Sequence, residues 1–155
     1  MIGSLGEIVF DVSENQILTF DGLSFQHSAK YTEHAIHGRK GLLEFTGFSA
    51  TTMSMTVSLN SALGIDPKEE FERLKEIFYN HEAVLFVLNG EPQGENLWVI
   101  ESMGEKREDI SRIGIANFIE VSLSLKEYLE AEPESEKTDI SEEEFNNDYY
   151  GTGNW

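Results

Sequence analysis

The sequence predicts a mainly-β, α+β domain: a sandwich or barrel with one packed helix and a long hairpin. Three observations predict it. Short apolar runs separated by turn residues recur along residues 1–129, the spacing of strand-rich architectures. Over Thr51–Leu59 the alternation is strict, with Met53, Met55, Val57 and Leu59 facing one way and Thr52, Ser54, Thr56 and Ser58 the other, the period of a sheet with one buried face. A single segment, over 67–80, switches to helical period.

The elements follow in order. Glu7–Val12 is a short apolar-rich run preceded by Gly3 and Gly6. Ile17–Phe25 alternates loosely through Ile17, Leu18, Phe20, Leu23 and Phe25. Ala29–Ile36 is more polar and reads as an edge or half-exposed strand, and Leu42–Phe48 is a strand set off by Gly41. The helix has a start signal: Asp66 as N-cap, Pro67 at the first helical position and Glu69 three residues past the cap. Phe71, Leu74 and Phe78, with Ile77 beside them, form one apolar stripe, so the helix packs on a sheet along one side. Ala83–Leu88 is a fully apolar strand, and Asn89–Gly94 is a turn-rich loop. Trp98–Met103 and Ile115–Leu125 are strands, the second with Ile119, Val121, Leu123 and Leu125 on one face; the charged connection Gly104–Gly114 makes them a long hairpin.

After Leu129 the composition changes. Residues 130–155 hold nine acids and one Lys, too little apolar content to offset the entropy of ordering in free solution. The chain thus divides into a body, 1–129, and an acidic tail, 130–155. Phe145, Tyr149, Tyr150 and Trp155 are expected to anchor that tail on the body or on a partner.

Composition narrows the function. The 155 residues suffice for one domain with a real core. No apolar run approaches the roughly 20 residues of a membrane span, and no signal peptide is visible, so no membrane role is expected. There is no cysteine, which removes disulfides and thiolate metal sites and leans toward the cytoplasm. With 29 acids against 11 bases the net charge is −18. Such a chain repels phosphate, so direct nucleic-acid binding is not expected.

No catalytic constellation emerges, and no enzyme, cofactor or metal is expected. His34 and His37 are three apart, which on a strand points them to opposite faces; solvated histidines are the plainer reading than a metal site. Glu142–Glu144 reads as a solvated charge run. Gly38-Arg39-Lys40-Gly41 lacks the spacing of a phosphate loop and reads as a turn between strands. Met53 and Met55 read as core filler. Trp98 reads as core packing, with a sugar-stacking platform formed with loop 89–96 as the alternative.

Ordered pieces of the chain resemble one family. They are Gly3-Ser4-Leu5-Gly6-Glu7-Ile8-Val9-Phe10, Leu43-Glu44-Phe45-Thr46-Gly47, Leu63-Gly64-Ile65-Asp66-Pro67, Leu74, Trp98-Val99-Ile100-Glu101-Ser102 and Leu123-Ser124-Leu125-Lys126-Glu127-Tyr128. Together they resemble the GpU family of tail proteins from contractile-tailed phages and phage-tail-like particles, over residues 1–128. The resemblance implies a structural tail protein needed for assembly near the baseplate and hub end of the tube, made in the cytoplasm and carried in the virion tail. It also implies kinship with tail-tube proteins, whose β-domains close into six-fold rings. On this reading the partners are further copies in a homo-oligomer, a hexameric ring, and other tube, baseplate and hub proteins. The candidate interface residues are Gly3 and Gly6, ordered by neighbouring copies, Arg107 and Arg112 in the charged connection, and Tyr149, Tyr150 and Trp155 in the tail. A monomeric β-sandwich ligand-binding module of carbohydrate type is the competing reading.

Overall fold

The computed structural model describes residues 1–130; the expectations placed on Phe145, Tyr149, Tyr150 and Trp155 lie outside the described residues. Alternation dictates the centre of the fold. β6 (Thr52–Asn60) and β10 (Ala116–Tyr128) pair antiparallel from Phe118↔Asn60 to Lys126↔Thr52. Met53, Met55, Val57 and Leu59 meet Ile119, Val121, Leu123 and Leu125 on one buried face. Around this pair an eight-stranded sheet is built in the order β8-β7-β1-β2-β3-β6-β10-β9. The remaining members are β1 (Gly3–Leu5), β2 (Ile8–Val12), β3 (Ile17–Gln26), β7 (Phe86–Leu88), β8 (Glu91–Pro92) and β9 (Leu97–Ile110). The sheet curls until its two ends touch at one point, where Val84 and Trp98 exchange two backbone hydrogen bonds of 2.8 Å. It is a mainly-β, α+β fold with an incompletely closed wall.

The helix α1 (Pro67–Tyr79) forms as its capping sequence dictates. The Asp66 carboxylate accepts from the Lys68 and Glu69 amides at 3.0 and 3.3 Å, and Pro67 opens the first turn. Phe71, Leu74 and Ile77 are buried against β2, β6, β9 and β10, and Phe78 is half-buried. The opposite face carries Arg73, paired with Glu69 at 2.9 Å and Glu70 at 3.2 Å. The core is wholly apolar: among the described residues no polar or charged side chain is buried. Trp98, Phe10 and Phe86 are its largest fully buried members.

Outside the sheet stands a separate hairpin, β4 (Ala29–His34) and β5 (Leu42–Phe48), joined by the 38–41 turn. Its root is closed by the Ser49 amide donating to the Ser28 carbonyl at 2.9 Å.

Three expectations change. The N-terminal segment needs no neighbouring copy to order it. β1 pairs with β2 on one side and β7 on the other, and Leu5 is fully buried. Local pattern misses this because β7 lies far along the chain. The charged stretch after Met103 is strand rather than connection: β9 runs to Ile110, β10 begins at Ala116, and the turn is confined to the residues between them. Past Met103 the β9 side chains are exposed, so backbone pairing with β10 proceeds without an apolar face. The run Ala83–Leu88 is one-sided, since Leu85 is exposed between buried Val84 and Phe86, and only Phe86–Leu88 is regular strand.

Candidate assembly surfaces

The β4–β5 hairpin follows from its register. Tyr31 lies opposite Phe45 and Glu33 opposite Leu43, and an irregularity between Lys30 and Tyr31 brings Ala29 opposite Phe48. Cross-strand partners share a face, so one face gathers Tyr31, Leu43, Phe45 and Phe48, with Glu33 beside Leu43. Their rings form an edge-to-face series, Tyr31 to Phe45 at 5.6 Å and Phe45 to Phe48 at 5.0 Å between centroids. The other face carries exposed Leu42 opposite His34 and is otherwise polar: His34 Nε2 meets Glu44 Oε2 at 2.6 Å, and the Thr46 hydroxyl donates to the Lys30 carbonyl at 3.1 Å. Among the described residues, neither face is covered. Tyr31, Leu43, Phe45 and Phe48 are 58%, 62%, 48% and 80% exposed.

A second arm is the far end of the β9–β10 hairpin. Ile110, Ile113 and Ile115 are exposed at its tip, and Arg112 is exposed among them. Below the tip, charged residues pair along β9: Lys106 with Glu108 at 2.6 Å and Arg107 with Glu105 at 3.2 Å. The Glu108 carboxylate raises the Lys106 ammonium above its ordinary value by hydrogen bond and charge. Arg107 also lies 5.9 Å from the centre of the Phe71 ring, so it ties β9 to α1 within one chain. Charged side chains on an edge strand of this kind discourage indiscriminate pairing.

Gly3 and Gly6 have reasons within one copy. A Cβ at Gly3 would collide with the Val87 carbonyl oxygen on β7. Gly6 turns β1 into β2 at φ +58°, with Val84 Cγ1 2.9 Å from where a Cβ would stand, and its amide donates to the Leu85 carbonyl at 2.9 Å.

Two recesses open on the body, the first at the hairpin root. One, of about 610 Å³, is lined by Phe25, His27, Phe48, Glu95, Trp98 and Glu127, among others. Trp98 is only 1% exposed, its Nε1 donates to the Gln93 carbonyl at 2.7 Å, and Phe25 lies 5.9 Å from it. It is a core residue and offers no open indole face to a sugar. Glu127 accepts from Asn96 Nδ2 at 2.8 Å and from the Thr51 amide at 3.3 Å. The Asn96 hydrogen bond leads in holding this carboxyl below its ordinary range. The second recess, of about 670 Å³, is lined by Leu85, Leu97, Tyr128 and Leu129 with Glu95 and Glu130. Sequence reasoning missed it because its apolar lining is split between positions 85, 97 and 128–129.

Chemistry-bearing residues do not converge. His34 pairs with Glu44, while His27 Nδ1 lies 3.2 Å from the Thr51 hydroxyl. Among the described residues no three His, Asp or Glu side chains gather as metal ligands would. Burial raises the Glu70 carboxyl above its ordinary value, opposed by Arg73 beside it.

The fold and its surfaces define a class: a mainly-β subunit that gathers exposed apolar side chains on projecting hairpins. The chain belongs to the Phage P2 GpU family, whose model matches residues 6–130. It is therefore a phage tail-associated structural protein. No curated protein matches the chain. None of the described helices is long and apolar enough to cross a membrane.

Proposed function

We propose that this tail protein works by self-association into a ring, six copies being the expected number, at the junction of the tail tube with the baseplate hub. The family match supplies the tail setting. The observation that carries self-association is the placement of exposed apolar side chains on two hairpins that extend past the core, Tyr31 to Phe48 on one and Ile110 to Ile115 on the other. A monomer gains nothing from leaving such groups in water, and a subunit that docks by them gains the area they bury. Tube, baseplate and hub proteins are the further partners on this reading. The net charge of −18 supports a channel past which a polyanion slides without adsorbing.

The test is the mass of the purified full chain, by size-exclusion chromatography with light scattering, together with electron micrographs. Ring-shaped particles of several copies are expected. A single-chain mass at every concentration overturns the ring.

A further inference from the structure

The β4–β5 hairpin poses a physical problem that the described residues of one copy do not solve. An isolated two-stranded hairpin is marginally stable at best in water, and a third strand or another packed element is needed to cover its apolar face. Here that face consists of Tyr31, Leu43, Phe45 and Phe48, all about half exposed or more. The opposite face is already furnished for water by the His34–Glu44 pair. The hairpin is thus amphipathic, and the described residues of one copy do not supply the surface that its apolar side requires.

Charge identifies that surface. Residues 28–49 hold three bases (Lys30, Arg39, Lys40) and two acids (Glu33, Glu44), a net +1 with histidines neutral, in a chain of net charge −18. The arm is a basic island on an acidic molecule through Arg39 and Lys40 in its connection, with Glu33 on the aromatic face, so the complement of its turn is an acidic surface with an apolar floor. The body carries one: the recess of Leu85, Leu97, Tyr128 and Leu129, lined also by Glu95 and Glu130. Leu97, Tyr128, Leu85 and Leu129 are 38% to 59% exposed there.

We propose that the aromatic face of the β4–β5 hairpin seats on a second copy of this chain, in the recess formed by Leu85, Leu97, Tyr128 and Leu129. This rests on the self-association reading and gives it an interface. The arm and the recess are different patches, so the contact is head-to-tail, and a ring results where the rotation between copies closes. Two hairpins placed face to face would instead set basic island against basic island.

Three versions of the full chain test it by light scattering: wild type, an arm variant (Phe45→Ser with Phe48→Ser) and a recess variant (Leu97→Glu with Tyr128→Ser). Wild type is expected to form the ring. Each variant alone is expected at the mass of one chain, and an equimolar mixture of the two at the mass of two chains, since one intact contact remains. Melting temperatures close to that of wild type diluted to single chains confirm that the substituted, exposed positions leave the body folded. Arg39→Glu with Lys40→Glu, at the turn, is expected to weaken assembly without touching the aromatic face. A wild-type chain that stays single overturns both the ring and this interface. A wild-type ring that persists in the arm variant overturns the interface alone. A wild-type particle that stops at two copies overturns the head-to-tail contact. Should the chain's own residues past 130 be the occupant of the recess, the recess variant leaves the ring unchanged, and the proposal fails there.

Discussion

The β6–β10 pair and the β4–β5 pair are both antiparallel ladders of alternating sequence, and they end in opposite environments. Across β6–β10, Met53, Met55, Val57 and Leu59 and their β10 counterparts are buried to within 3%. Across β4–β5, Tyr31, Phe45 and Phe48 keep from 48% to 80% of their surface in water. The difference lies in what covers each face. Beneath β6–β10 lie α1 and the curled sheet; among the described residues β4–β5 is attached only at its root. Alternation therefore specifies that a strand has an apolar side, and leaves open whether the cover belongs to the same chain.

The sharpest way to break this comparison is to damage the covered side. Trp98→Ala removes a fully buried indole and its hydrogen bond to Gln93, and should cost about 3–5 kcal/mol of stability, read as a fall in the urea midpoint. A loss under 1 kcal/mol would mean that the covered half is far looser than its burial implies. Gly6→Val, at φ +58° against Val84, should cost about 1–3 kcal/mol by the same measurement, and it reports on a contact within one copy. Asp66→Ala removes two accepted amide bonds at the start of α1 and should cost about 1 kcal/mol.

Glu127→Gln sharpens the root of the arm, because Glu127 joins Asn96 to the start of β6. Its folded pKa lies below the unfolded value. Its contribution is therefore complete above the ordinary carboxylate range and is lost as pH falls through the lowered folded value. The variant should be modestly less stable than wild type at neutral pH, and the two should converge in acid. A gap that persists below pH 3 assigns the effect to packing instead of charge. The smallest effect belongs to the uncovered side. Phe45→Ser with Phe48→Ser should shift the stability of a single copy by no more than about 0.5 kcal/mol per site, seen as an unchanged melting temperature under dilute conditions.

Much of the fold was legible where one chain covers its own apolar faces. β6, α1 and β10 are visible because Met53 to Leu59, Phe71 to Ile77 and Ile119 to Leu125 each repeat at a fixed period and are buried at it. β1 was not legible: three residues carry no period, and what holds Gly3 in place is β7. The outer half of β9 was not legible because Glu105 to Asp109 read as a linker, although the backbone pairs there with β10 regardless of side chain. At the candidate surfaces, Arg112 is exposed at a tip, while Arg107, Gly3 and Gly6 are engaged within the chain. The sequence shows the aromatic arm as a half-exposed strand over Ala29–Ile36 and a plain strand over Leu42–Phe48, since it gives the residues of a face without stating what lies opposite them.

The wholly apolar interior has one more consequence. No charged side chain is sealed inside the described body, so changes of ionic strength act at the rim, on pairs such as His34–Glu44 and Lys106–Glu108. On the proposed self-association, coming apart and coming undone are separate events. Assemblies dispersed by dilution should then release intact bodies, and concentrating them should rebuild the assembly without any refolding step.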